Sequence, residues 1–394
     1  MNSIKKPIVI VGCGFAGINT ALSLKKLNPF IPILVIDSQS QFIFKPLLYE
    51  VLSDEIRSWE VAPKLDAIFK NSRIIFLKNQ LISINFSERS LKFHDQLEIN
   101  YELLVLCTGS IHNNFSLPGV DENCYFFNNL DDKEKLKLFL NNSVKNKLGN
   151  NLAIIGAGPS GVELACKVND LYDGYFKICI IEKSQEILSN NKIFNREEAE
   201  KAIQKRNIKI LLNTTVESVS KDGVKVLDDI NNSKFVASNC VIWTAGIKPN
   251  LPLFSQEVKL VNQRILIDKY LQMKSFPNIF PIGDISIIEG HEDLPVTAQV
   301  AMQQGLHVAK NLNLMMRNEE LLPFEYQDNG EMISLGIGEA SISGLGLTIS
   351  GKLAFEIRRL IYASKMPILE KTFKSAASWI LDKKSFISAL IKKK

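Results

Sequence analysis

Two stretches of the chain carry glycines at a spacing that lets main chain approach a pyrophosphate: Gly12-Cys13-Gly14-Phe15-Ala16-Gly17 and Gly156-Ala157-Gly158-Pro159-Ser160-Gly161. That chemistry needs a sharp turn from strand to helix, close approach of backbone to the phosphates, and a helix N-terminus to receive their charge. Each stretch is followed by an acid, Asp37 coming 20 residues after Gly17 and Glu182 coming 21 after Gly161. At that distance a carboxylate at the next strand end accepts hydrogen bonds from the hydroxyls of an adenosine ribose. One such pattern is weak evidence, because glycine-rich turns arise by chance. Two copies with the same grammar imply two nucleotide sites on one polypeptide.

The elements that must position these residues surround them in order. Ile8 to Val11 is an apolar run before the first turn, Ile18 to Leu27 reads as a helix after it, and Ile33 to Ile36 delivers Asp37. The second copy repeats this with strand Leu152 to Ile155, helix Val162 to Val168 and strand Ile178 to Ile181 before Glu182. Apolar strands alternating with helices predict an α/β fold, here with two Rossmann-like dinucleotide-binding domains. Other strands end in small residues, at Thr108-Gly109, Ala245-Gly246 and Gly283-Asp284, where parallel strands open onto a ligand crevice. The layout expected is a discontinuous first domain of residues 1–113 and 246–325, interrupted by a second at 149–245, with a C-terminal region at 326–394. The polar stretch Asp131 to Asn151 suits an exposed helix and linker.

Composition narrows the function classes. At 394 residues, 46% hydrophobic and 23% charged, the chain has material for two to three ordinary globular domains. No run approaches the ~20 apolar residues of a membrane-spanning helix. The N-terminal residues enter the first strand almost at once, so no cleavable secretory signal is expected. The six cysteines, at 13, 107, 124, 166, 179 and 240, form no C-x-x-C pair, and the four histidines, at 94, 112, 291 and 307, are scattered, so no metal site is expected.

The net charge of +5 is unevenly placed, since Lys352 to Lys394 holds 11 Lys/Arg against 3 Asp/Glu. A nucleic-acid partner is not expected, because the rest of the chain lacks a basic face interleaved with aromatics. Leu369, Phe373, Ala376, Ile380, Ile387 and Ile391 fall on one helical face, with lysines largely elsewhere. This pattern fits an in-plane helix on an anionic membrane surface, or a helix packed on its own protein or on a partner subunit.

Three further segments resemble a particular family. Phe44 to Val51 (FKPLLYEV), Thr297 to Gln304 (TAQVAMQQ) and Gly161 to Ala165 (GVELA) are similar to motifs of the type II NAD(P)H:quinone oxidoreductases, and the likeness covers nearly the whole chain. Within that family, Arg57 to Pro63 (RSWEVAP), Gly330 to Gly336 (GEMISLG), Ser343 to Gly351 and Arg358 to Tyr362 (RRLIY) resemble the cyanobacterial-type demethylphylloquinone reductases. Cys13 and Ala16 stand where many members carry glycine, and Met302 where many carry histidine.

The resemblance implies an FAD-binding domain in the discontinuous part and an NAD(P)H-binding domain in the insert. FAD would meet Gly12, Gly14, Phe15, Ala16, Gly17, Asp37, Lys45, Pro46, Leu47, Thr108, Gly109, Gly283 and Asp284. NAD(P)H would meet Gly156, Gly158, Pro159, Ser160, Gly161, Glu182, Ala245 and Gly246. Gln299 and Gln303, one helical turn apart, would face a membrane quinone, and Glu163 would lie near the flavin and nicotinamide. Glu182 favours NADH by repelling a 2′-phosphate, whereas the adjacent Lys183 leaves NADPH open. The resemblance further implies a peripheral protein of the cytoplasmic face of a thylakoid or plasma membrane, and it leaves a homodimer open. Two other classes compete: a soluble FAD-dependent reductase of an iron–sulfur protein, and a non-enzymatic flavin redox sensor. The first needs neither the glutamine helix nor the basic tail.

Overall fold

The computed structural model describes residues 7–70 and 72–367. The tail helix expected from about 367 to 394 lies outside the described residues, apart from its first position. In chain order, β1 (Ile8–Val11), α1 (Phe15–Leu27) and β2 (Ile33–Asp37) form a first βαβ unit, followed by α2 (Leu48–Leu52), β3 (Ile75–Lys78) and β4 (Leu103–Leu106). A second βαβ unit comprises β5 (Asn151–Ile155), α3 (Pro159–Leu171) and β6 (Lys177–Ile181), with β7 (Lys209–Leu211) and β8 (Cys240–Trp243) after it. Then come β9 (Ile279–Pro281), α4 (Ala298–Met316), β10 (Glu331–Ser334), β11 (Ala340–Gly344), β12 (Leu347–Ser350) and α5 (Gly351–Ser364).

The chain divides into two compact units. One comprises residues up to Phe42, Ala62–Ile111 and Ile247–Gln327; the other comprises Ile43–Val61, His112–Gly246 and the chain from Asp328 onward. Two segments therefore fall differently from the layout read off the sequence. Ile43–Val61, placed there with the first domain, groups with the second unit, as does the described part of the C-terminal region. The physical reason is both apolar and polar: Leu48, Tyr49 and Leu52 of the former pack into the second unit's core, and Glu50 and Glu55 are paired with Arg358, Arg359 and Lys167.

In the first unit, a parallel sheet of order β9-β4-β1-β2-β3 sets Ile8 beside Ile33 on one side and Leu103 on the other. β1 reads Ile-Val-Ile-Val and is buried at every position, as expected for a strand covered on both faces. In the second unit the parallel order is β7-β6-β5-β8 with Cys124–Tyr125 at the edge. Here Leu152, Ile154, Leu164, Val168, Ile178 and Ile180 build the core between sheet and helix. β10, β11 and β12 make an antiparallel sheet of their own, against which α5 buries Ala354 and Phe355.

Both helices that follow the glycine turns start on a glycine cap, Gly14 and Gly158, whose extended backbone leads directly into the first turn. Pro159 at the first position of α3 fits because that residue has no intrahelical partner for an N–H. α4 is capped by Thr297, whose hydroxyl accepts from the Val300 N–H at 3.3 Å.

Candidate functional site

The two glycine turns are built alike. Gly12 and Gly156 hold φ of +104° and +102°, a region that L side chains rarely adopt. A Cβ on Gly17 would stand 1.9 Å from the Gly12 carbonyl oxygen, and one on Gly161 would stand 1.9 Å from that of Gly156, so both glycines are fixed by the turn itself. Gly14 and Gly158 are different: a Cβ there would meet nothing within 4 Å. Their lack of a side chain serves no packing need of the protein. It leaves backbone open in front of an uncapped helix N-terminus, which is the shape a pyrophosphate requires.

The acids close each turn identically. Asp37 accepts from the Cys13 N–H at 2.5 Å and from the Gln39 N–H at 2.7 Å. Glu182 accepts from the Ala157 N–H at 2.6 Å and from the Ser184 N–H at 2.8 Å. Burial pushes the Asp37 carboxyl above its ordinary range, against the pull of the donors from Gln39 and Cys13. Burial likewise raises the Cys13 and Cys107 thiols, and Cys107 Sγ donates to the Val11 and Gly12 carbonyls at 3.2 and 3.1 Å. These thiols are packing groups behind the turn.

The other residues expected at the first site gather in the first unit, with three exceptions. Phe15 and Ala16 form the first turn of α1. Thr108 and Gly109 follow β4 and are pinned by Asn250, whose carbonyl accepts from the Thr108 hydroxyl at 2.5 Å. Gly283 and Asp284 follow β9; Asp284 accepts from the Ser110 hydroxyl at 2.6 Å, and the Gly283 N–H donates to Gln304 Oε1 at 2.7 Å. Lys45, Pro46 and Leu47 are the exceptions, since their short 3-10 turn belongs to the second unit. There the Pro46 carbonyl accepts from Arg358 at 2.7 Å and Leu47 is fully buried.

In the second unit, Ala245 and Gly246 follow β8, with the Trp243 indole N–H donating to the Ala245 carbonyl at 2.8 Å. Ser160 stands in the first turn of α3. An open cleft of about 980 Å³ also lies here, but Asn151, Lys177 and Lys209 among its lining residues start β5, β6 and β7. It is at the opposite end of the sheet from the glycine turn. Ligands of such sheets enter at the carboxyl ends of the strands, so this cleft is not the nucleotide site.

Gln299 and Gln303 do project from one side of α4, as their spacing requires, and the structure gives them partners the sequence did not reveal. Gln299 Nε2 donates to the Tyr326 hydroxyl at 2.7 Å. Gln303 makes a two-way pairing with Gln327, donating to its carbonyl at 2.8 Å and accepting from its N–H at 3.0 Å. The row continues at the same four-residue interval. His307 Nε2 bonds the Leu322 carbonyl at 2.8 Å, and Asn311 holds both the carbonyl and the N–H of Leu322, at 2.9 and 3.0 Å. A polar ladder along α4 thus clamps the segment Leu322–Gln327. Burial lowers the proton affinity of the His307 ring. From the sequence only Gln299 and Gln303 were paired; His307 and Asn311 continue their four-residue interval, whereas Tyr326 carried no signal.

Glu163 lies two residues beyond Gly161 on α3 and is almost completely buried. Its Oε1 accepts from the Ser334 N–H at 2.7 Å and faces Arg358 Nη2 at 3.4 Å. Burial pushes its carboxyl up to about 7, opposed by Arg358, the Ser334 donor and Lys167, and reinforced by Glu50. Glu50 and Arg358 are each 0% exposed and directly paired. Glu50, Arg358 and Ser334 were not singled out from the sequence as site residues. Among the described residues no group of three or more His, Cys, Asp or Glu is placed to hold a metal ion, and no helix is long and apolar enough to cross a membrane.

Known proteins are similar to this chain. Residues 6–305 match the family model described as pyridine nucleotide-disulphide oxidoreductase. A demethylphylloquinone reductase of Synechocystis sp. is 31% identical, covering 96% of this chain and 97% of the relative. An alternative NAD(P)H-ubiquinone oxidoreductase C1, chloroplastic/mitochondrial, of Arabidopsis thaliana is also 31% identical, over 95% of this chain and 80% of its own. Among solved structures, NDH2 of Plasmodium falciparum in complex with NADH superimposes with a TM-score of 0.86 at 18% identity, over 96% of this chain and 98% of that one; it attests the fold.

Proposed function

We propose that this chain, which belongs to the pyridine nucleotide-disulphide oxidoreductase family and within it to the NAD(P)H:quinone oxidoreductases, oxidises a reduced nicotinamide and passes two electrons to a quinone. The observation that carries this is the pair of equivalent glycine turns, each open at its middle glycine and each closed by an acid. When bound, FAD supplies the redox chemistry, taking hydride from NAD(P)H and, with one further proton, reducing a quinone to its hydroquinone.

The protein's own residues bind, orient and position. The first turn, Gly12 to Gly17, presents main-chain N–H groups and the α1 terminus to the FAD pyrophosphate, with Asp37 as acceptor for the adenosine ribose. Thr108, Gly109, Gly283 and Asp284 surround the same cofactor at the carboxyl ends of β4 and β9. The second turn, Gly156 to Gly161, does the same for NAD(P)H, with Glu182 at the ribose and Ala245 and Gly246 behind it. Glu182 favours NADH, and Lys183 beside it keeps NADPH within reach. Glu163, on α3, is the carboxyl whose proton affinity burial raises.

Gln303 is committed to Gln327, and Gln299 to Tyr326. The group offered to a quinone carbonyl is therefore the remaining amide hydrogen of Gln303. The quinone is demethylphylloquinone or one of plastoquinone type, by likeness to the Synechocystis relative. Anaerobic stopped-flow measurement separates the two halves of the cycle. Gln303→Ala should slow reoxidation of the reduced flavin by quinone about tenfold, the loss of roughly one hydrogen bond, and leave flavin reduction by NADH unchanged. The opposite pattern would remove the quinone from this face of α4.

The protein attaches to an anionic membrane surface through the tail from about 367 to 394, and a homodimer is compatible with this arrangement. Each surface lysine contributes on the order of 1 kcal/mol at low salt. Truncation after Met366 should release the protein from anionic liposomes, and equal binding by the truncated and full-length chains would refute the attachment.

A further inference from the structure

The sequence words that resemble the demethylphylloquinone reductases, RRLIY and GEMISLG, have no part in the nucleotide turns, yet they converge on one residue. Ser334 from the second word donates its N–H to Glu163 at 2.7 Å, and Arg358 from the first reaches the same oxygen at 3.4 Å. The FKPLLYEV loop joins them: Pro46 gives its carbonyl to Arg358 at 2.7 Å, and Glu50 is ion-paired with Arg358. Three segments remote in sequence thus enclose the first carboxylate of α3.

We propose that Arg358 is the positioning residue that sets the charge state of Glu163, one buried guanidinium being shared unequally between Glu163 and Glu50. The proposal rests on the reading of Glu163 as the carboxylate that serves the nicotinamide site.

The inequality is geometric. Both oxygens of Glu50 are claimed, Oε1 by Arg358 and Oε2 by Arg359 Nε at 3.2 Å. On Glu163, Oε1 takes the Ser334 N–H and the longer contact from Arg358, while no described hydrogen bond or ion pair engages Oε2. Of two buried carboxylates beside one guanidinium, the one with the weaker hold keeps the proton. Glu163 is the one held more weakly, and a proton on it sits on Oε2.

The other groups facing Glu163 complete the balance. Tyr49 and Tyr362 are buried phenols whose proton affinities are raised, mainly by burial and partly by the charge of Glu163. Lys167, one turn along α3, is paired with Glu55, whose other oxygen accepts from the Gly338 N–H at 3.3 Å. Cys166, also on α3, is held as a thiol by burial. Arg358 lies over the Tyr362 ring at 4.8 Å, so its plane is fixed as well as its charge. A lysine at that position could not fork between two carboxylates and the Pro46 carbonyl.

The test follows the protonated-carboxyl band of Glu163 by infrared spectroscopy across pH in the FAD-loaded full chain, with the band assigned by its loss in Glu163→Gln. Two isosteric or charge-conserving variants, Glu50→Gln and Arg358→Lys, are compared with wild type, and FAD content and circular dichroism report folding. Glu50→Gln removes a neighbouring negative charge and frees Arg358 for Glu163. The titration midpoint should fall, with the protonated-to-ionised ratio at neutral pH reduced roughly tenfold. Arg358→Lys should move the midpoint up. Opposite displacements in folded variants support the proposal; no displacement, or the same direction in both, overturns it. The pH profile of flavin reduction by NADH is recorded in parallel. Should the infrared midpoints move as expected while that profile stays fixed, Arg358 would still set the charge of Glu163, and the assigned role of Glu163 at the nicotinamide site would fail.

Discussion

The two βαβ units have nearly the same turn and differ in what stands behind it. Asp37 and Glu182 reach back to the same backbone position, the N–H of the second residue of each turn, at 2.5 and 2.6 Å. Two residues past the last glycine, the first helix carries Asn19 and the second Glu163. The Asn19 amide simply donates to the Phe15 carbonyl within its own helix at 2.7 Å. Glu163 instead enters a buried network with Arg358, Glu50 and Ser334. The lesson is that the turn specifies nucleotide binding in general, while the next helical turn specifies what else a site can do. One copy carries an amide at this position, and the other a titratable group.

The most drastic way to break the equivalence is to add one methyl group at the glycine each turn closes upon. Gly17→Ala and Gly161→Ala both drive a Cβ into a backbone carbonyl 1.9 Å away, and overpacking of this kind costs about 1–3 kcal/mol or more. The expected outcomes differ by unit. Gly17→Ala should purify without flavin. Gly161→Ala should keep its FAD absorbance but lose about a hundredfold in flavin reduction at limiting NADH, as ~2.7 kcal/mol of lost binding dictates. Absorbance spectra and stopped-flow traces on the two proteins check this. Equal flavin loss in both would mean that the turns are not separately assigned.

A gentler test sharpens the comparison. Removing a charged acceptor costs about 1.5–3 kcal/mol, so Asp37→Ala should weaken FAD retention and Glu182→Ala should weaken NADH binding, each roughly ten- to a hundredfold. In Glu182→Ala the preference between NADH and NADPH should also move toward NADPH, because a repulsive charge is gone and Lys183 stays. Fluorescence titration of apoprotein with FAD, and kcat/KM ratios for the two nicotinamides, measure these effects. An unchanged ratio would place selectivity elsewhere.

How much of this was legible in the sequence follows from the range of the interactions. Both βαβ units, the glycine turns and their acids depend on spacings of about 20 residues, and the strands fall where the apolar runs stop at glycine. The first helix starts at Phe15, three residues before the apolar run that suggested it, because its cap is the middle glycine of the turn. The pairing of Gln299 and Gln303 on one face was readable from their interval. Their clamp on Leu322–Gln327 was not, because its partners are main-chain groups and one phenol. Least legible was the Glu163 network. Glu50 and Arg358 are 308 positions apart, and nothing in either local pattern points to the other. This pairing and the burial of Leu48, Tyr49 and Leu52 place Ile43–Val61 in the second unit, which no composition shift announces.

The claim that one turn holds FAD, the other receives the nicotinamide and a quinone takes the electrons is tested most directly on the purified wild-type chain. The bound flavin is quantified, reduced anaerobically with NADH or NADPH, and then mixed with a panel of quinones that includes a demethylated phylloquinone analogue. The account predicts one FAD per chain, bleached by NADH and restored by quinone with formation of one hydroquinone per nicotinamide oxidised. A flavin that NADH bleaches but no quinone restores, while an iron–sulfur protein does, would contradict it.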